Sequence, residues 1–355
     1  MAVNKLEIQA FLEMARKHPI VDVRSPAEYA HAHIPGAFSL PLFDDAERKV
    51  VGTTYKQMSR EQAIKIGLDF FGPKMKQMLT EAEQILQKHN TTTILVHCWR
   101  GGMRSAAIAW LLDLYGFKVF TLIGGYKTFR NWALQQFEIQ LPFQILGGYT
   151  GSGKTEILSA LKAKGEIVID LEELAGHKGS SFGSLGLPEQ SSVEHFENKL
   201  SLALSKSEEE RRNNGKPFIW MEAESQRIGQ VNMPNSFFEQ LKNASTLFVK
   251  ISFEKRLDYV CRFYGMFEKD KLMSGIYRVR KRLGGLDTKN AINFLLEENV
   301  KESFRILLNY YDRLYDKSTA QNREAVEYME VSDTDSTINS ELILKWIKNR
   351  KNEPN

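Results

Sequence analysis

Two short segments of this chain combine residue types and spacings suited to covalent or phosphate chemistry. In His97-Cys98-Trp99-Arg100-Gly101-Gly102-Met103-Arg104-Ser105, a thiol shares one loop with two guanidinium groups and two glycines. The strand pattern TTTILVH leads into it, and a helical pattern opens near Ser105. Such a strand–loop–helix passage aims backbone N–H groups and the helix's positive end at one point. A positive field of this kind lowers a thiol's pKa from its usual value of about 8.5. Gly101 and Gly102 let the backbone curl, because glycine accepts positive φ. Arg100 and Arg104 add permanent charge for an anionic donor. The second cysteine, Cys261, lies in the aromatic, periodic stretch YVCRFYGMF and reads as packing.

The second segment, Gly148-Tyr149-Thr150-Gly151-Ser152-Gly153-Lys154-Thr155, satisfies G-x-x-x-x-G-K-[ST] between a strand pattern and a helix pattern. Consecutive N–H groups at a helix start cradle phosphate oxygens, and Lys154 adds a point charge. Thr155 could ligate Mg²⁺. Asp170 and Glu222 each end a strand pattern, and either could face such a metal; no metal is fixed by these residues alone. No adenine-reading motif accompanies the loop, so it implies a polyphosphate site that a pyrophosphate on some other carrier would fit equally well. His177-Lys-Gly-Ser-Ser-Phe-Gly183 and Glu222-Ala-Glu224-Ser225-Gln-Arg227-Ile-Gly229 follow strand ends, where open α/β sheets place ligands.

The elements around these segments alternate. Helical spacing of Leu6, Phe11, Met14 and Ala15 predicts a helix over 4–18, followed by the strand PIVDVR at 19–24. Ser25 with Glu28 is a capping-box signature for a helix over 26–32. A helix over 73–88, the strand 92–96, a helix over 105–115 and the strand 118–123 come next. Beyond Pro142 the strands are expected at 143–148, 166–174, 216–225 and 246–252, with a helix at 154–163. From about 254 the pattern is mainly helical, ending in a polar tail at 348–355. Alternation of this kind implies α/β architecture with parallel sheets. The expected divisions are 1–138, 139–255 and a basic, helical 256–355.

Composition excludes several classes. The 355 residues are 42% hydrophobic and 26% charged with a net charge of +4, an ordinary globular make-up that suits two domains. No apolar run approaches the roughly 18 residues needed to cross a bilayer. Lys5, Glu7 and Glu13 interrupt the start where a signal peptide would be apolar. Two cysteines make no disulfide framework, which suits a reducing compartment. A cytoplasmic monomer without tightly bound cofactor or membrane partner is expected.

Residues 250–282 carry a local charge of +6, densest at Arg278, Arg280, Lys281 and Arg282, with Tyr259, Phe263, Tyr264 and Tyr277 interleaved. Basic side chains neutralise nucleic-acid phosphates and aromatics stack on splayed bases; a solvated helix face has the same look.

DVRSPAEYAHAHIPGAFSLP, HCWRGGMRSAAIAWLL and LIGGYKTFR together resemble a rhodanese domain over about residues 5–135. That resemblance implies that Cys98 carries a persulfide or its selenium counterpart. Five residues separate Cys98 from Arg104, where common single-domain rhodaneses have four. The longer spacing also fits cysteine-dependent phosphatases, so a sulfurtransferase or phosphatase with an ATP-binding partner domain is the alternative. A non-catalytic tRNA-binding module is disfavoured, because both loops keep the residues their chemistry needs. With GGYTGSGKT, HKGSSFG, MEAESQRIG and YRVRKRLGG added, the chain resembles the tRNA 2-selenouridine synthase family. The fold this implies is a rhodanese-like parallel-sheet domain followed by a P-loop NTPase-like α/β domain with a helical C-terminal extension. The activity it implies converts 2-thiouridine at the wobble position (U34) of lysine, glutamate and glutamine tRNAs to 2-selenouridine. A geranyl group from geranyl pyrophosphate is placed on the sulfur, and selenium from selenophosphate then replaces it. On this reading Cys98, Arg100, Gly101, Gly102 and Arg104 handle selenium. Gly148, Gly151, Ser152, Gly153, Lys154 and Thr155 bind pyrophosphate. Asp170, His177, Glu222, Glu224 and Arg227 are second-site candidates, and Arg278, Arg280, Lys281 and Arg282 bind tRNA.

Overall fold

The computed structural model describes residues 3–180, 182–322 and 326–351. The chain forms two compact units: Met1–Gln136 with Ser191–Ser201, and Phe137–Gln190 with Leu202–Asn355.

In the first unit the strands are β1 (Asn4–Leu6), β2 (Ile20–Asp22), β3 (Phe38–Ser39), β4 (Thr93–His97) and β5 (Lys118–Leu122). All pair in parallel, in the order β1-β5-β4-β2-β3. Every residue of the central β4 is buried, as a parallel strand covered on both faces requires. Its core includes Val21, Ile94, Val96, Ile108 and Leu112. The N-terminus departs from the expected single helix over 4–18. Asn4–Leu6 is an edge strand in register with Phe120–Leu122, and the helix is confined to Ile8–Ala15. The helix Pro26–His31 begins as its capping box predicts, with Ser25 N–H donating to Glu28 Oε2 at 3.1 Å.

The second unit contains β6 (Phe143–Gly147), β7 (Ile219–Glu222), the small antiparallel pair β8 (Arg227–Ile228) and β9 (Val231–Asn232), β10 (Ser245–Lys250) and β11 (Val326–Glu330). Its main sheet is parallel in the order β11-β10-β6-β7. Two expectations fail here. Residues 166–174 form no strand: only Val168 bridges Trp220, and Leu171–Ala175 is a short helix. The C-terminal region is mainly helical, as expected, but Val326–Glu330 returns to the sheet beside β10, and the helix Ser336–Lys351 buries Ile343 and Ile347 in the core with Leu158 and Leu161. The helices Phe253–Tyr264, Lys269–Leu283, Gly285–Leu296 and Val300–Asn322 share a second core around Leu257, Ile276, Leu295 and Leu307. Cys261 is partly buried against that core, the packing role read from its surroundings. Among the described residues no helix is long and apolar enough to cross a membrane.

Candidate functional site

Strand β4 delivers Cys98 to the C-terminal edge of the first sheet, and the chain turns through 98–102 into the helix Met103–Tyr115. The turn is pinned from one side: Tyr126 N–H donates to Cys98 O at 2.8 Å and Lys127 N–H to Trp99 O at 3.0 Å. Gly101 has φ +64°, and a Cβ there would lie 2.7 Å from Leu122 O, so only glycine fits the turn. The thiol sits beneath the loop with 3% of the residue exposed; it donates to Ser105 Oγ at 3.3 Å, whose hydroxyl donates to Gly102 O. Cys98 belongs to the buried core of this sheet with Val96 and Ile108.

The two loop arginines part company. Arg100 is exposed. Arg104, expected to grip an anion at the sulfur, is paired with Glu28, Nη1 to Oε2 at 2.6 Å and Nη2 to Oε1 at 3.4 Å. A buried charge assembly that the sequence did not reveal lies on β2 and just beyond it. Arg24 donates through Nε to both oxygens of Asp22 at 2.9 Å and through Nη2 to Ala32 O at 2.7 Å. Its guanidinium also lies 3.9 Å from the centre of the Tyr126 ring. Burial opposes ionisation of Asp22, but His97 and Arg24 outweigh it and hold its carboxyl below the usual carboxylate range. His97 is fully buried, and burial lowers its imidazole pKa against the opposing pull of Asp22. The position of Arg24, two residues after Asp22 in DVR, was the available signal: alternate strand positions share a face.

In the second unit the central strand β6 runs into residues 148–153 and then the helix Lys154–Ala163. The phosphate loop expected from the sequence therefore has the strand–loop–helix setting its motif demands. Gly151 adopts φ +81°, where a Cβ would meet Val260 Cγ2 at 2.7 Å. Buried Arg256 braces the loop, donating to Thr150 O at 3.0 Å while paired with Asp312 at 2.7 Å. Lys154 Nζ donates to Gly148 O at 3.0 Å and stands 3.4 Å from Glu222 Oε1. Burial alone would lower the Lys154 pKa, but Glu222 and the carboxylates behind it raise it, so the ammonium stays charged. Thr155 Oγ1 lies 3.1 Å from Glu222 Oε2 and 3.3 Å from Glu172 Oε2.

Glu172, Glu222 and Glu224 each place a carboxylate oxygen within 4.8 Å of the others. Burial, then repulsion from Glu222, pushes Glu172 up to about 9 and Glu224 up to about 8, and burial raises Glu222 as well. These hard oxygens beside the Thr155 hydroxyl form a donor set for a magnesium-like cation. The loop and carboxylates border a cavity of about 630 Å³ that is also lined by Tyr259, Phe263, Tyr264, Tyr311 and Tyr315. Lys178 also lines it, its Nζ 4.0 Å from the Phe263 ring centre.

The remaining sequence candidates divide. Glu222 and Glu224 belong to the carboxylate cluster, whereas Asp170 does not: its side chain accepts Glu173 N–H at 2.8 Å and caps the helix Leu171–Ala175. That helix carries Glu172 into the cluster, a residue the expected strand over 166–174 concealed. The His177 ring packs against Gly183 and Gly229, and Arg227 Nε donates to Gly229 O at 2.9 Å; neither borders the cavity. Ser181 lies outside the described residues. The basic cluster also splits: Arg278 donates to Ser184 Oγ at 3.1 Å, Arg280 stacks 3.8 Å over Tyr277, Lys281 is exposed, and Arg282 borders the phosphate-loop cavity.

A cysteine loop at the edge of one parallel sheet and a phosphate loop at the edge of another define a rhodanese-like domain joined to a P-loop domain. The family comparisons agree: residues 7–131 match the rhodanese-like domain and residues 141–352 match the tRNA 2-selenouridine synthase AAA domain. The tRNA 2-selenouridine synthase of Marinobacter nauticus is 32% identical over 339 residues, covering 86% of this chain and 89% of the relative. That of Sulfurovum sp. is 31% identical over 342 residues, covering 87% and 90%. That of Nitrosomonas europaea is 36% identical over 251 residues, covering 69% of this chain and 63% of the relative. The chain belongs to the tRNA 2-selenouridine synthase family.

Proposed function

We propose that this chain is a tRNA-modifying transferase that replaces the 2-sulfur of wobble 2-thiouridine with selenium, in two stages on two loops. The observation that carries this reading is the presence, in one chain of this family, of a buried loop thiol beside an exposed Arg100 and of a glycine-rich phosphate loop bordering a cavity of about 630 Å³. In the first stage the loop 148–155 and Lys154 bind the diphosphate of geranyl pyrophosphate and stabilise its charge as the base's sulfur takes the geranyl carbon. Thr155 with Glu222, Glu172 and Glu224 would hold Mg²⁺, which supplies further neutralisation of the diphosphate. The aromatic side chains that line the same cavity offer an apolar surface against which a prenyl chain would lie.

In the second stage the Cys98 thiolate takes the selenium of selenophosphate as an S–Se⁻ group, the phosphorus leaving as phosphite. The terminal selenium adds to C2 of the base, and the S-geranyl group, a better leaving group than sulfide, departs as geranylthiolate. An added thiol reductant cleaves the S–Se bond, leaving selenium on C2 and returning Cys98 as thiolate. Arg100, exposed beside the thiol, receives the donor's oxyanion. Arg104 contributes only if the oxyanion displaces Glu28. The substrates are the lysine, glutamate and glutamine tRNAs with 2-thiouridine at U34. The test is mass spectrometry of U34 nucleosides after incubating the purified chain with such a tRNA, geranyl pyrophosphate, Mg²⁺, selenophosphate and a thiol reductant. Formation of 2-selenouridine through an S-geranyl nucleoside is expected. Phosphate release from ATP with unmodified U34 would replace this reading with the sulfurtransferase or phosphatase alternative.

A further inference from the structure

The residue after the loop thiol is a tryptophan, and 38% of it is exposed although Cys98 beside it is 3% exposed. It is an exposed aromatic ring directly adjoining the buried loop thiol. Its support is fixed. The Trp99 ring leans on Tyr126 with centroids 5.6 Å apart and planes tilted by 39°. Tyr126 is itself fully buried, faced by the Arg24 guanidinium at 3.9 Å, and tied through its hydroxyl to Glu194 at 2.7 Å and Asn198 at 2.8 Å. Backbone bonds from Tyr126 to Cys98 O and from Lys127 to Trp99 O hold thiol and indole in one turn. Arg100, next in sequence, is exposed as well, and the Arg24 guanidinium lies 6.0 Å from the Trp99 ring centre.

We infer that Trp99 is the stacking platform on which the reacting pyrimidine base lies while C2 is presented to the group carried by Cys98. Every base has a π-face, and an aromatic side chain that is already immobilised loses little entropy when a base settles on it. The arrangement suits a splayed single-stranded nucleotide, because a base within a helix exposes no face. This inference rests on the RNA substrate proposed above.

The test uses the full chain and two anticodon stem-loop RNAs, one with 2-thiouridine at position 34 and one abasic there. Trp99→Ala should lose roughly tenfold to a hundredfold in affinity for the thiouridine RNA, and Trp99→Phe should recover most of that. For the abasic RNA, wild type and Trp99→Ala should bind alike, a result that general damage to the loop would not give. Loading of selenium onto Cys98 from selenophosphate, read by intact-protein mass spectrometry, should be unchanged in Trp99→Ala. Equal losses on both RNAs, or no loss on either, would overturn the platform while leaving the two-stage reading standing if wild type still makes 2-selenouridine. A wild-type chain that ignores both RNAs removes the reading beneath it and the platform with it.

Discussion

Arg104 Nη1 lies 2.6 Å from Glu28 Oε2, so the second arginine of the cysteine loop is neutralised by a carboxylate from the helix that follows β2. Glu28 is held below the usual carboxylate range: burial opposes this, but the hydrogen bond and charge of Arg104 outweigh it. Replacing Glu28 with Gln keeps an acceptor for Ser25 N–H and releases the guanidinium. Alkylation of Cys98 by iodoacetate should then accelerate relative to neutral iodoacetamide, by roughly tenfold at low salt. An unchanged ratio would mean that Arg104 does not act on the thiol's surroundings.

The carboxylate cluster makes the ligand-free fold sensitive to pH. Glu172 and Glu224 are raised from the ordinary 4.5 to about 9 and about 8, so the folded chain keeps protons that the unfolded chain releases. Their contribution to stability is full below about 4.5 and is lost as pH rises through 8 to 9. Thermal melts should show Tm falling across that window, Glu224→Gln should flatten the fall, and Mg²⁺ at alkaline pH should restore much of it. A Tm that ignores both the variant and the metal would refute the cluster's electrostatics.

Arg24 and Asp22 are both buried and satisfy each other. Arg24→Ala leaves an uncompensated carboxylate and strips the Tyr126 ring of its partner, so urea denaturation should show a destabilisation of about 3–5 kcal/mol. Combining Asp22→Leu with Arg24→Met should recover most of it.

The basic helix Lys269–Leu283 carries exposed Arg280 and Lys281 and, at its end, Arg282 bordering the phosphate-loop cavity. Arg280→Glu with Lys281→Glu should weaken tRNA binding and reduce the slope of log K against log salt by about one for each phosphate no longer neutralised. Arg282 borders the phosphate-loop cavity, so Arg282→Ala should raise the KM for geranyl pyrophosphate with little change in that slope. Filter binding across a salt series separates the two.

How much of this was legible depended on what each residue signals locally. Both loops were readable because glycine, lysine and cysteine types at fixed spacing between apolar strands leave few alternatives, and the structure builds both as strand–loop–helix turns. Asn4–Leu6 was not, since three residues on an exposed edge carry too short a pattern to outweigh the helical spacing that follows. EIVIDLEEL reads as a strand by its β-branched start, but Asp170 caps a helix at that point, and Glu172 was hidden in the misread element. Val326–Glu330 is recognisable as a strand only once β10 is there to pair with it. The diversion of Arg104 to Glu28 joins residues 76 positions apart, a partnership that no local spacing reveals.

The division of labour between the two loops is tested most directly by crossing Cys98→Ser and Lys154→Ala with mass spectrometry of U34. Cys98→Ser should accumulate S-geranyl nucleoside with no 2-selenouridine, and Lys154→Ala should be deficient in geranyl transfer while Cys98 still loads selenium. Loss of geranylation in a folded Cys98→Ser chain, or undiminished geranylation in Lys154→Ala, would contradict the account.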